Sequence, residues 1–289
     1  MPRRKYLNDC FIVLGAMILG HTSVCVAQQP VESPSAEACF GGFVDAIVHP
    51  PRDEVPASFH LDRMRREAQV RAAPATFEPL VREALRLPPP KDVAVSEKRR
   101  AREGDEPEEF RRRTAKAMAA AQVLPLLGRK ICDSLLTEFF PVHVELARAA
   151  EQDVVAKAAI SETDRRISAG RAAWYASRCA DLIGAATAAQ SEVLLEPVFA
   201  LIAGGKQLPW INLRAMTYLE SFPQKRPEHV KRLKAILTSD RDLGSDRRHN
   251  IEKAIARMEQ AEAEAHPGKS EVGGDMPSPG PAPVKSDPK

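Results

Sequence analysis

Aromatic residues are scarce in this chain: they make up 5% of its 289 residues, with 2 Trp and 3 Tyr among them. Sheets draw on aromatic and β-branched side chains to fill a pleated surface, so a sheet-based core is disfavoured. Cysteine is also scarce, at 5 residues, which excludes a disulfide-knit scaffold. The 15 glycines are too few for a collagen-like repeat. No segment alternates apolar and polar residues over the length of a strand, and no apolar run reaches the ~20 residues that cross a bilayer. What the chain does contain is 44% hydrophobic and 28% charged residues, the proportions of a soluble globular protein. Alanine supplies much of the apolar share, and small side chains let helices approach closely. The expectation is an all-α fold.

Signatures of catalysis are missing as well. There is no Gly-x-Ser-x-Gly turn, no Cys-x-x-Cys and no His-x-x-x-His, so neither a nucleophile elbow nor a clustered metal site is predicted. Gly204-Gly205-Lys206 lacks the earlier glycine and the following Ser or Thr of a phosphate loop, and reads as a helix stop. His249 and Glu252 share a helix face, but no second such pair accompanies them. No cofactor and no metal are expected.

The two ends read differently from the middle. Arg3, Arg4 and Lys5 precede an apolar stretch from Cys10 to Gly20, and Val24-Cys25-Val26-Ala27 places small residues before a cut after Ala27. This is the layout of a secretory signal peptide, which implies a periplasmic or secreted protein with no integral membrane segment after cleavage. The leader carries a net +2, so the formal charge falls from +3 to +1 on its removal. A near-neutral field argues against a nucleic-acid partner, because each phosphate contact needs a cation. Residues 28–37 form a polar tether. At the other end, residues 266–289 hold six prolines and four glycines among 24 residues, with too little apolar surface to offset the entropy of ordering. That tail is expected to be disordered.

Between the ends the 3.6-residue period recurs. Phe77, Leu80, Val81, Ala84 and Leu85 form one stripe, which Pro88-Pro89-Pro90 stops. Phe110, Thr114, Ala117, Met118 and Ala121 form the next. Leu127, Ile131, Leu135 and Phe139 continue it, either as a second helix or past a kink at Pro125, and Pro141 is expected to end it. Phe40 to Val48 is read as helix, and Val142 to Ile160 as a further helix. Ser161 is a candidate N-cap with Asp164 at N3, ahead of an Ala-rich helix around Ala172, Ala176, Cys179 and Ile183. The mixed-sign run Glu97 to Arg113 reads as a solvated face. These segments divide into an N-terminal helical region, 38–141, and helical hairpins, 142–265. Cys39, Cys132 and Cys179 remain after cleavage; Cys132 with Cys179 is the candidate disulfide, since both sit on expected helices, although spacing alone does not decide pairing.

From Ser191 the pattern becomes regular. Leu194, Leu195, Val198, Leu201 and Ile202 mark one helix, and Ile211, Ala215, Tyr218, Leu219 and Phe222 mark its partner. Val230, Leu233, Ile236 and Leu237, then Ile251, Ala254, Ile255 and Met258, mark a second pair. At an offset of 39, Leu194 meets Leu233, Val198 meets Leu237, Ala215 meets Ala254 and Leu219 meets Met258. One further step back brings Ala176 under Ala215.

A period near 40 built from two antiparallel helices resembles a HEAT-type α-solenoid, most closely over residues 191–260. Leu213-Arg214-Ala215-Met216-Thr217-Tyr218-Leu219 is similar to the second-helix pattern of such repeats, with Pro209-Trp210 where an Asp commonly stands. An irregular helical bundle has the same periodicity and is the alternative architecture. The resemblance implies stacked hairpins that bind a protein or peptide on a concave face, with no catalysis. The rival function is a helical-bundle enzyme or small-ligand-binding protein whose site is assembled from dispersed residues. A polar pocket holding His143, Glu145 or Cys179 would mark it. For a binding face the candidates are Trp174, Tyr175, Arg178, Trp210 and Arg214, because interfaces concentrate Trp, Tyr and Arg.

Overall fold

The computed structural model describes residues 34–51, 57–90, 108–157, 161–204, 209–239 and 243–265. The side chains of Lys157, Pro209 and Trp210 lie outside that description. So do the leader, most of the tether, the charged run up to Pro107 and the Pro-rich tail. The chain divides into two units after Pro34, and every element below belongs to the second. The fold is all-α, and the described residues contain no strand. None of the described helices is long and apolar enough to cross a membrane.

Helix α1 spans Ala36–Val48, with the Ser35 side chain accepting a hydrogen bond from the Ala38 amide as N-cap. It therefore begins inside the stretch read as tether. Helix α2, Ala57–Ala72, was not foreshadowed by periodicity, since Val70 is its one fully buried residue. Good helix formers and the pairs Arg63–Glu67 and Glu67–Arg71 at i,i+4 support it instead. Helix α3, Pro74–Leu85, buries Phe77, Val81, Ala84 and Leu85 as the stripe implied. Helix α4, Glu108–Val123, follows. Helices α1, α3 and α4 pack on one another, and α4 and α3 join them to the rest through α6 and α5.

Pro125 sits in a 3-10 turn, Leu124–Leu127, and Gly128 closes it at φ 80° and ψ 154°. A side chain is strained in that region, so glycine is required there for its backbone. Nothing lies within 4 Å of a Cβ added at Gly128, so Gly128→Ala isolates the backbone cost. We expect a loss of about 1–2 kcal/mol, read as a lower urea midpoint at unchanged slope. An unaltered midpoint would count against the left-handed turn.

Helix α5 runs from Arg129 to Lys157 without a break. This corrects two expectations, the stop at Pro141 and the domain boundary between 141 and 142. Proline removes one hydrogen bond and costs about 3 kcal/mol inside a helix. Phe139, Phe140, Val144, Ala147 and Ala150, buried on both sides of it, return more than that when held against α6. Helix α6, Glu162–Ala188, is the antiparallel partner, and Ser161 caps it by accepting from the Asp164 amide.

Two further pairs follow: α7, Leu195–Ala203, with α8, Pro209–Glu220; and α9, Arg226–Ser239, with α10, Ser245–Ala265. Gly204 ends α7, its amide donating to the Ala200 carbonyl. Helix α8 packs between α6 and α10. Across the other layer, Arg232 of α9 holds Glu196 of α7 with contacts of 2.6 and 2.8 Å and lies 3.7 Å over the Phe199 ring. Arg257 of α10 likewise holds Glu220 of α8 at 2.5 Å. Of the residues that match at an offset of 39, Ala176, Ala215, Ala254, Leu194, Leu233, Val198 and Leu219 are fully buried, with Met258 nearly so, whereas Leu237 is half-buried. One continuous core runs from Ala36 to Met258.

A buried polar thread ties the first two pairs together. The Tyr218 hydroxyl donates to the Ser191 carbonyl at 2.6 Å, and the Ser191 hydroxyl donates to Asp133 on α5. Tyr218 is fully buried, and burial pushes its phenol far up in pKa, so it stays a donor.

Candidate functional site

Helix α6 presents two working faces beside its Ala-rich buried stripe. On one, Trp174 and Arg178 stand one turn apart, and the Arg178 guanidinium lies 4.8 Å over the Trp174 ring. The indole also meets Phe110 of α4 edge-on, with centroids 6.5 Å apart. Arg178 reaches Asp181 at 3.1 Å and donates to the Ser177 hydroxyl at 3.3 Å. Burial pushes the Asp181 carboxyl up, and Arg178 and then Arg214 pull it back. Burial likewise pushes the Arg178 guanidinium down.

The structure thus brings Arg178 and Arg214 to one carboxylate, with Trp174 under the Arg178 guanidinium, but it does not make them a surface. Trp174 is 6% exposed and Arg178 3%, whereas Arg214 is exposed. A binding face built on Trp174 and Arg178 is corrected to a buried packing cluster: Phe110 of α4 packs on the indole, and Arg178 is folded back over that ring and onto Asp181. Trp210 lies outside the described side chains.

Tyr175 lies on the other face. It is half-buried, and its ring is 6.1 Å from that of His143 on α5, which in turn stacks on Phe139 at 6.3 Å. His143 is 3% exposed. Burial, with Arg178 adding to it, lowers its pKa to about 4, and the Leu85 backbone, which favours the cation, does not offset them. It is therefore a neutral ring in the core, not a poised acid or base at neutral pH. Glu145 is exposed and paired with Arg148 at 2.8 Å, and Cys179 is fully buried. None of these three residues lines the groove beside Tyr175.

In front of Tyr175 lies a groove of about 400 Å³. One wall is Pro88, Pro89 and Pro90; the second is Leu146, Ala149, Ala150 and Asp153 of α5; the third is Ile167, Arg171 and Tyr175 of α6. Residues 167, 171 and 175 are spaced at i, i+4 and i+8, so they share one helix face. The size lies within the range of ligand pockets, and its mostly apolar lining with a few polar groups is also theirs.

Sequence reasoning treated Pro88–Pro90 only as a helix stop and did not place Leu146, Asp153 or Ile167 in a site. The available signal was the 167/171/175 face, one step round from the buried 168/172/176 stripe.

Cys39, Cys132 and Cys179 are free and buried, so the candidate pair Cys132–Cys179 is two separate thiols in this structure. Burial pushes Cys132 and Cys179 up to about 12, which keeps them as unreactive thiols. Among the described residues no group of three or more His, Cys, Asp or Glu side chains is placed to hold a metal ion. No protein-family model, curated protein or solved structure matches this chain.

Proposed function

We propose that this chain is an exported, HEAT-like helical scaffold that binds a protein or peptide partner in the cell envelope and works by binding alone. The carrying observation is the groove between the Pro88–Pro90 wall, α5 and α6: an open, largely apolar concavity on a framework of helix pairs. Such a framework suits a scaffold, because each pair shelters its neighbour and the shape persists when a ligand arrives. The repeat at an offset of 39 supports the HEAT-type reading, since all its matching residues but the half-buried Leu237 are buried in the core.

The test uses the mature protein, with N-terminal sequencing expected to start at Gln28, as bait in an envelope extract. Leu146 lines the groove and is 38% exposed, so Leu146→Glu alters the surface without disturbing the core. A partner held by the wild type and lost by Leu146→Glu is the expected result. No specific partner, or equal capture by both proteins, would remove the reading.

A further inference from the structure

The groove carries an electrostatic asymmetry that specifies its ligand. Helix α6 has four arginines. Arg165 and Arg166 share Glu162 at 2.7 and 2.8 Å, and Arg178 holds Asp181 at 3.1 Å. Arg171, which lines the groove and is exposed, has no carboxylate partner among the described residues. The other charged lining residue, Asp153, is already engaged in an interaction. The groove therefore offers one uncommitted guanidinium beside apolar walls.

A guanidinium selects a carboxylate, which it grips with two parallel N–H donors. The walls select an apolar side chain, and Pro88, Leu146 and Ile167 are its natural contacts. Both groups must come from one small ligand, because about 400 Å³ lies near the lower end of ligand pockets. In an extended peptide, neighbouring side chains point to opposite faces. An internal acidic residue thus turns its apolar neighbour away from the wall. A chain end has no such conflict, since its carboxylate and its last side chain leave the same carbon. Tyr175 adds a phenol that burial keeps protonated, and so a second donor.

We infer that the groove binds the free C-terminus of a peptide ending in an apolar residue, with Arg171 holding the terminal carboxylate. This rests on the scaffold reading above and names its ligand class. The probes are N-acetyl-leucine, its amide, and N-acetyl-glutamyl-leucine amide, titrated into the full mature chain and followed by amide chemical shifts. The free acid is expected to bind with a Kd on the order of 1 mM, and each amide at least about tenfold more weakly.

Arg171→Met should bring the acid down to the level of its amide while moving the amide less than about twofold, the margin of a lost charge contact alone. Equal binding of acid and amide, equal binding of the glutamyl peptide, or no saturable shift with the acid would each overturn the inference. If equal binding of acid and amide accompanies a partner that Leu146→Glu loses, the scaffold reading survives and the C-terminal specificity falls. If the acid binds selectively but no partner is captured, the reverse holds.

Discussion

Ala215→Asp is expected to lower stability by about 4 kcal/mol or more, enough to unfold the α7–α10 region near room temperature. Ala215 is fully buried in α8, where that helix is packed between α6 and α10. A methyl group is all that the interface accommodates, so the aspartate adds volume and an unpaired charge in the same place. Two positions earlier on the same helix, Leu213 is 57% exposed. Leu213→Asp should change stability by no more than about 0.5 kcal/mol, although it removes a much larger side chain. Thermal melts followed by circular dichroism compare the two. If Ala215→Asp melts like the wild type, the inward face of α8 is assigned wrongly.

Stability should fall on mild acidification, before most carboxylates titrate. His143 is held at a pKa of about 4 in the fold, against an ordinary value of 6.5. His229, buried between the Phe199 and Phe222 rings with its Nδ1–H donating to the Leu219 carbonyl at 3.0 Å, is lowered by the same cause.

Between those values the unfolded chain binds more protons than the folded one. The contribution of each neutral ring is therefore complete above about pH 7, and it is lost as pH falls through the unfolded value toward the folded one. For His143 the loss from pH 7.5 to 5 is about 2 kcal/mol. Asp181 is shifted upward, so it binds its proton in the fold first and partly offsets this loss at the acid end. Urea titrations at the two pH values measure the difference, and His143→Phe, which keeps a ring between Phe139 and Tyr175, should remove most of the His143 share. An identical pH slope in the wild type and in His143→Phe would show that His143 is not buried as a neutral ring.

The helices that could be read in advance share one property: their burial is written as a single stripe. Phe77 to Leu85, Ala172 to Ile183 and the four segments after Ser191 all have it, and the structure buries most of those residues, leaving Leu80, Val230, Ile236 and Leu237 half-buried against the core. Helix α2 has no such stripe, because it packs through few side chains. Pro141 misled for the opposite reason. A local rule stops a helix there, and the contacts of α5 with α6 override it at a distance that spacing does not reveal.

The candidate site was less legible. Trp174 and Arg178 were singled out for their chemistry, yet both are buried, and Phe110, which packs on the indole, comes from a distant part of the chain. Tyr175 reached a groove, but Pro88–Pro90 and α5 supply two of its three walls.

The amino-acid order by itself determined the all-α class, the inward faces of the repeating pairs and the cap at Ser161. Each follows from contacts within a few residues, where helical geometry dictates which side chains are neighbours. Tertiary structure alone decided which aromatic and basic groups vanish into the interior and which line the groove. Those outcomes depend on which helices meet, and the free energy of that meeting is shared among residues far apart in sequence.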